Sequence, residues 1–310
     1  MRVLGDTGLE VFPLCLGGNP FGWTADEPES FRVLDAYAEA GGNFIDTADV
    51  YWAYAPGASG GASETIIGRW MKRRGNRDQL VIGTKVGRLA GREGLSARNI
   101  RAACHDSLRR LQTSYVDIYY AHVDDPSTPL EETLAAFDAL RREGKVRHIA
   151  ASGYSAQRLD EALAISEREG LARYAALQVA FNLVDRAGYE GELAETCARE
   201  GVACLPYFGL AMGFLTGKYR READALDSPR LKWVRPHLNE RGFALLAVLD
   251  EVAAAHGVPV GAVALAWLAA QPTVVAPLAS SRTPDQLADL IVMAQLELSS
   301  EELARLSAAA

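Results

Sequence analysis

Short apolar runs rich in β-branched residues alternate along this chain with longer stretches of helical period. The runs are Leu14–Gly17, Asn43–Asp46, Leu80–Lys85, Val116–His122, Val146–Ser152, Ala176–Phe181, Val202–Tyr207 and Thr273–Pro277. Each has the length and residue types of a buried strand. Between and after them, helices are expected over Glu29–Ala40, Ser63–Arg73, Arg98–Leu111, Leu130–Glu143, Ala156–Glu169, Tyr189–Glu200, Arg241–Ala255, Val260–Ala270 and Pro284–Ala294. Val260, Val263, Ala264, Trp267 and Leu268 form an apolar stripe at i, i+3, i+4, i+7 and i+8. Thr283-Pro284-Asp285-Gln286 reads as an N-cap, a Pro at N1 and a capping-box Gln at N3. Ser299-Ser300-Glu301-Glu302 is a second capping box, opening an extra C-terminal helix. Ahead of the first run, Arg2–Leu4 and Glu10–Leu14 flank Gly5-Asp6-Thr7-Gly8, a hairpin signal.

Eight strands, each followed by a helix, are the parts of a (β/α)8 TIM barrel. The expected fold is therefore an α/β barrel with an N-terminal β-hairpin and a C-terminal extra helix. One domain over residues 1–310 is expected, since no linker divides the chain. A doubly wound sheet is the alternative. Its dinucleotide-binding form usually carries GxGxxG after the first strand, and Leu16-Gly17-Gly18-Asn19-Pro20-Phe21-Gly22 does not match. The longer irregular stretches, Tyr51–Gly61, Arg88–Leu95 and Phe208–Pro236, all follow strand ends. Barrel active sites are built there.

Composition changes this picture little. The 310 residues are 49% hydrophobic and 23% charged, with a formal net charge of −8. A mildly acidic chain is a poor general partner for nucleic acid or anionic membrane, so neither is expected. No apolar stretch approaches the ~20 residues that span a bilayer. Met1–Asp6 holds a charge but no apolar core, so a secretory signal is not expected. Cys15, Cys104, Cys197 and Cys204 are scattered, as for buried thiols in a reducing cytoplasm, and no metal site is expected.

The strand ends carry the chemistry. The second strand ends in Asp46, with Tyr51 five residues on. The third ends in Lys85 and the fourth in His122. In a closed barrel a carboxylate, a phenol, an ammonium and an imidazole then share one rim. Lys85, partly buried, needs a partner, and Asp46 on the next strand supplies it. A free tyrosine ionises near pH 10, too high for a group that both gives and takes protons near neutrality, and a nearby ammonium lowers that value. Reducing a carbonyl needs a hydride on carbon and a proton on oxygen. Tyr51 is the candidate proton donor, His122 the group that orients the oxygen, and a nicotinamide the hydride source.

Gly41-Gly42-Asn43-Phe44-Ile45-Asp46-Thr47-Ala48-Asp49-Val50-Tyr51 strongly resembles the signature of the aldo-keto reductases. So do Gly83-Thr84-Lys85, Ser107–Leu111 through Asp117–His122, and Gly213–Tyr219. The resemblance runs in order over essentially the whole chain. It implies the barrel fold, a catalytic set at Asp46, Tyr51, Lys85 and His122, and NADP(H) as cofactor with NAD(H) as the alternative. It also implies that Ser152 and Gln178 hold the nicotinamide amide, with Gly153 where an Asn is common and Asn182 nearby. Tyr207 matches the aromatic that stacks on the ring. Gly209, Leu210 and the Gly213–Lys218 segment, including Gly217 and Lys218, resemble the loop over the pyrophosphate. Ser280, Ser281 and Arg282 lead into a helix N-terminus, which favours an anion such as a 2′-phosphate, and Arg282 adds a matching fork. Some relatives have Lys at Ser280, Arg at Gln286 and Asn at Leu290, while Asp289 stands where an acidic adenine contact is common.

Trp23, Trp52, Tyr54 and Trp233 lie in rim segments and are the candidate walls of a pocket for a small carbonyl or sugar substrate. Three other motifs fail on context. Gly57–Gly61 matches GxSxG without a strand leading into it. Gly213–Tyr219 has the wrong spacing for a P-loop. A glycosidase reading of Asp124-Asp125 needs a second carboxylate at a set separation and leaves Lys85 unexplained. The expected function is reversible NAD(P)H-dependent reduction of an aldehyde or ketone. The alternative is a nicotinamide-binding regulatory subunit resembling the potassium-channel β subunits.

Overall fold

The computed structural model describes residues 1–51, 60–221, 224 and 230–310. Its strands are β1 (Arg2–Val3), β2 (Glu10–Val11), β3 (Cys15–Gly17), β4 (Phe44–Asp46), β5 (Val81–Val86), β6 (Arg88–Leu89), β7 (Arg92–Glu93), β8 (Val116–Ala121), β9 (Val146–Ser152), β10 (Tyr174–Ala180), β11 (Ala203–Tyr207) and β12 (Leu278–Ala279). The helices are α1 (Glu27–Glu39), α2 (Ala62–Arg74), α3 (Ala97–Leu111), α4 (Leu130–Arg142), α5 (Ala156–Glu169), α6 (Glu192–Glu200), α7 (Leu231–Val234), α8 (Glu240–His256), α9 (Val260–Ala269), α10 (Pro284–Ile291) and α11 (Ser300–Ala309).

Eight of the strands form one sheet in the order β11-β10-β9-β8-β5-β4-β3-β12, and every pairing in it is parallel. Each strand is covered inside and out, so β5 and β8 are buried at every residue. A parallel bridge between Cys204 and Val274 brings the two edges together. The result is the (β/α)8 barrel, ringed by helices. Local signals set their ends: Asp26 caps α1, Ser96 caps α3, Asn239 caps α8, and Ser299 with Glu302 forms the capping box of α11.

The eighth strand departs from expectation. The run Thr273–Pro277 is not a strand; the strand is β12, just beyond it. Thr273 has φ 66°, which breaks extended backbone, and Pro277 has no N–H to give a ladder. The run is instead shared between its neighbours. Val275 N–H donates to the Cys204 carbonyl at 3.0 Å, and the Pro277 carbonyl accepts Cys15 N–H at 2.9 Å. The α6 start also shifts. Tyr189 lies outside the helix and packs its ring on Phe181, 5.0 Å between centroids.

The β1–β2 hairpin closes the N-terminal end of the barrel. Leu4, Leu9 and Val11 pack against the inward-facing Phe44, Val81, Ile118 and Ala176. The other end is left to the site. No single helix among the described residues is long and apolar enough to cross a membrane. All four cysteines are buried and unpaired.

Because Leu4 is fully buried in that plug, Leu4→Ala is expected to cost about 2–5 kcal/mol of stability, measured by urea unfolding. A loss below about 1 kcal/mol would show that the hairpin lies outside the cooperative core.

Candidate active site

Parallel register sets the first part of the site. Asp46 is paired with Gly83, and Lys85 with Tyr120, so β4, β5 and β8 end side by side. Asp46 and Lys85 are both buried. Lys85 Nζ donates to Asp46 Oδ2 at 2.5 Å, to the Thr47 carbonyl at 2.7 Å and to the Tyr51 hydroxyl at 3.2 Å. All three ammonium protons thus have acceptors. The same nitrogen lies 4.9 Å from the Tyr51 ring centre and 5.6 Å from that of Tyr120. Asp46 uses its other oxygen, Oδ1, to accept from Gln178 Nε2 at 2.6 Å.

Burial pushes the Lys85 ammonium down, but the charges of Asp46 and Tyr51 outweigh it and hold Lys85 above the ordinary lysine range. Lys85 is therefore a cation at neutral pH. Asp46, receiving N–H groups from both sides, is its counter-ion. His122 begins the loop after β8, its ring centre 6.3 Å from that of Tyr51 at an interplanar angle of 78°. Burial, with the nearby charges of Lys85 and Arg88, pushes the His122 imidazole well below its ordinary range. It is neutral, and among the described residues its buried Nδ1 has no hydrogen-bond partner. The phenol, ammonium, carboxylate and imidazole foreseen from the strand ends do come together.

The other predicted residues fall in two groups. Ser152 ends β9 beside Gln178, its register partner on β10, and Tyr207 ends β11 next to them. Gln178 shares its amide nitrogen with Asp46, a link the sequence does not reveal. Gly153 has φ 69°, and its N–H donates to the Gln178 carbonyl at 3.0 Å; that left-handed backbone is one that glycine and asparagine accept. Asn182 Nδ2 donates to the Phe208 carbonyl at 3.0 Å, fixing the loop after β11.

The second group surrounds α9 and the start of α10. A Cβ on Gly209 would stand 3.0 Å from Leu265 and 3.2 Å from Leu268, so the loop lies directly on α9. Around Gly261 on α9, Leu210 of this loop meets Leu290 of α10. Phe208, Ala211 and Met212 have φ of 59°, 46° and 57°, a concentration of strained non-glycine backbone. Gly217 ends the 3-10 stretch Ala211–Thr216, and Lys218 is exposed with Nζ near Gly213. A Cβ on Gly17 would lie 2.5 Å from Ser280 Oγ, so glycine there lets β12 and β3 converge. Arg282, Asp289 and Gln286 are exposed around the first turns of α10. The capping box is offset: Thr283 accepts Gln286 N–H at 3.3 Å, but Gln286 Oε1 reaches Arg282 N–H at 3.1 Å, not the N-cap N–H.

Trp23 is 58% exposed after β3, and Trp233 is 47% exposed on α7, its ring covered by the Lys232 ammonium at 4.0 Å. Trp52 and Tyr54 lie outside the described residues. Phe208, 47% exposed at the end of β11, was not foreseen; its only signal is its place after Tyr207. Also unforeseen is the buried Glu64 on α2, which accepts from Thr84 Oγ1 at 2.5 Å and Arg110 Nε at 2.6 Å.

Comparison with known proteins gives the site its setting. The sequence matches the Aldo/keto reductase family over residues 13–310. The chain belongs to that family. It is 32% identical to Protein tas of Escherichia coli (strain K12), over 97% of this chain and 95% of the relative. It is 34% identical to Norsolorinic acid reductase stcV of Emericella nidulans, over 97% and 79%. It is 31% identical to Aryl-alcohol dehydrogenase [NADP(+)] of Phanerodontia chrysosporium, over 96% and 82%. This aldo-keto reductase is thus an NAD(P)H-dependent oxidoreductase.

The residues present fit a nicotinamide dinucleotide. Ser281 Oγ, next to Arg282, is buried without a partner among the described residues, as a hydroxyl kept for a ligand would be. Arg282, the next residue, is an exposed cation, and on the other side of α9 the strained, glycine-containing loop after β11 carries a second, Lys218.

Removing only the cation from a buried pair leaves a bare carboxylate. Lys85→Met is expected to lower stability by about 3–5 kcal/mol in urea unfolding at pH 7. Asp46→Asn with Lys85→Met should lose less than the two single losses added. Additive losses would show that the two groups do not act as a pair.

Proposed function

We propose that this aldo-keto reductase reversibly reduces an aldehyde or ketone with Tyr51 as general acid, the residues 1–310 acting as one barrel domain. The observation that carries the reading is the 3.2 Å contact between the Tyr51 hydroxyl and a lysine ammonium fixed by Asp46. The ammonium favours the phenolate left behind when the proton goes to the carbonyl oxygen. Asp46 and the Thr47 carbonyl hold that ammonium in place. His122, uncharged, donates an N–H to the substrate oxygen and aligns it without competing as an acid. The dihydronicotinamide, when bound, supplies the hydride.

Ser152, Gln178 and Tyr207 would hold the nicotinamide end. Gly209, Leu210, Gly217 and Lys218 would hold the pyrophosphate. Ser280, Ser281, Arg282, Gln286 and Asp289 would hold the adenosine end. We assign NADP(H) as the preferred cofactor, with NAD(H) as the weaker one, on the Arg282 guanidinium at a capped helix start. The substrate is a small carbonyl compound with an aromatic or sugar ring, on the strength of the exposed Trp23, Trp233 and Phe208. Likeness to an aryl-alcohol dehydrogenase and a norsolorinic acid reductase favours the aromatic class. The buried, unpaired thiols favour a reducing, cytoplasmic setting.

Tyr51→Phe should lower kcat by about 10²–10⁴-fold on a panel of aryl aldehydes, ketones and sugars, with NADPH binding nearly unchanged. Full turnover in that variant would remove Tyr51 from the mechanism. Cofactor binding by the native chain without turnover across the panel would favour the regulatory-subunit reading. Arg282→Ala should weaken NADPH by about tenfold or more while leaving NADH nearly unchanged, read by fluorescence titration. Equal losses for both cofactors would show that Arg282 does not read the 2′-phosphate.

A further inference from the structure

Asp49 lies two residues before Tyr51 and has no part in the chemistry above. It is 1% exposed, and neither carboxyl oxygen has a hydrogen-bond partner among the described residues. Its backbone N–H donates to the Lys85 carbonyl at 3.3 Å, and Tyr51 N–H donates to the Ala48 carbonyl at 3.2 Å. The turn from Ala48 to Tyr51 therefore hangs from the strand that carries Lys85. Asp49 thus sits between the Lys85 backbone, to which it is bonded, and the residue that carries the phenol.

The space around Asp49 is built from several elements. α2 brings Glu64, fully buried, and α3 brings Arg110. β7 brings Arg92, and β8 brings Tyr119, whose phenol senses both acids. The cations are committed elsewhere. Arg110 serves Glu64 and Ser107, and Arg92 serves Asp106. Burial and the Glu64 charge lift the Asp49 carboxyl to about 7, against the pull of Arg110, the Val50 amide and Arg92. Among the described residues each of these cations already holds another acid, so a second carboxylate would be only partly compensated.

We propose that Asp49 is a positioning residue: as an uncharged acid it lets the turn seat Tyr51 against Lys85, and as a carboxylate it drives that turn out of the dry space beside Glu64. Turnover then takes part of its pH dependence from a group that touches neither substrate nor cofactor. The inference rests on Tyr51 being the proton donor. Stability carries the same signature. The folded chain holds a proton on Asp49 that the unfolded chain releases at ordinary aspartate pH. The stability this contributes is full below that pH and is lost as pH rises through about 7.

The test is a pH 5–9 titration of the full chain labelled with [13C]aspartate and followed by NMR, beside kcat profiles of the native chain, Asp49→Asn and Glu64→Gln. One aspartate carboxyl should titrate between pH 6 and 8, vanish in D49N, and move to lower pH in E64Q. Native kcat should fall through that same range. D49N should keep kcat at pH 6 within about threefold of native and show no inflection there, and its melting temperature should exceed the native value more at pH 8 than at pH 6. The proposal is overturned if no such carboxyl titrates, if E64Q leaves its transition in place, if D49N keeps the native profile, or if D49N loses kcat equally at pH 6 and pH 8. Should D49N not fold, the native and E64Q titrations still decide. Full turnover in Y51F with the titration present would sink the proton-donor reading and leave the ionisation of Asp49 standing.

Discussion

A lysine ammonium buried against a single carboxylate is the constraint from which the rest of this structure follows. Taking Lys85 and Asp46 out of water is costly, and their attraction offsets that cost only with good geometry and with every remaining proton and lone pair engaged. The strand register provides this. Asp46 stands at the end of β4, one strand from Lys85, while Thr47 and Tyr51 supply the remaining acceptors and Gln178 the second donor. A hydrophobic pair of similar shape would be cheaper to bury. What the charged pair adds is a fixed positive charge 3.2 Å from a phenol, at the open end of the barrel.

The barrel makes that arrangement rigid. The hairpin fills the far end with Leu4, Leu9 and Val11, so the strands below the site pack into a continuous core. The third of the sequence motifs, Ser107–Leu111 through Asp117–His122, is partly structural. Asp117, buried on β8, accepts from Arg77, Arg147 and the Ile82 N–H at 2.7, 2.9 and 2.9 Å, which ties β8 to β5 beneath Lys85. Arg110 of the same region anchors Glu64 under the Tyr51 turn. Residues that never approach a substrate therefore set where the phenol stands.

Much of this was legible in the sequence because strand ends and chemistry coincide. Asp46, Lys85 and His122 each close a short apolar run, and a barrel places such ends together. The eighth strand was misplaced because Val274 and Val275 have strand-like side chains, and side-chain type does not reveal the left-handed backbone of Thr273. The run does close the barrel, through the Cys204–Val274 bridge, but the regular strand lies just beyond it at Leu278–Ala279. Gln178 was read as a cofactor residue from resemblance alone; its bond to Asp46 spans 132 residues and no local pattern encodes it. Asp49 and Glu64 look in sequence like ordinary turn and first-turn acids. Only the packing of α2 and α3 beside β5 makes one of them an acid whose carboxyl oxygens have no hydrogen-bond partner among the described residues.

The claim that the carboxylate, ammonium and phenol act as one unit is tested most directly by comparing kcat/KM for Tyr51→Phe, Lys85→Met and the double variant at one pH. The unit predicts that the double variant is slower than the worse single variant by no more than about threefold, because either change alone disables the same proton transfer. Losses that multiply would contradict it, and would mean that phenol and ammonium contribute separately.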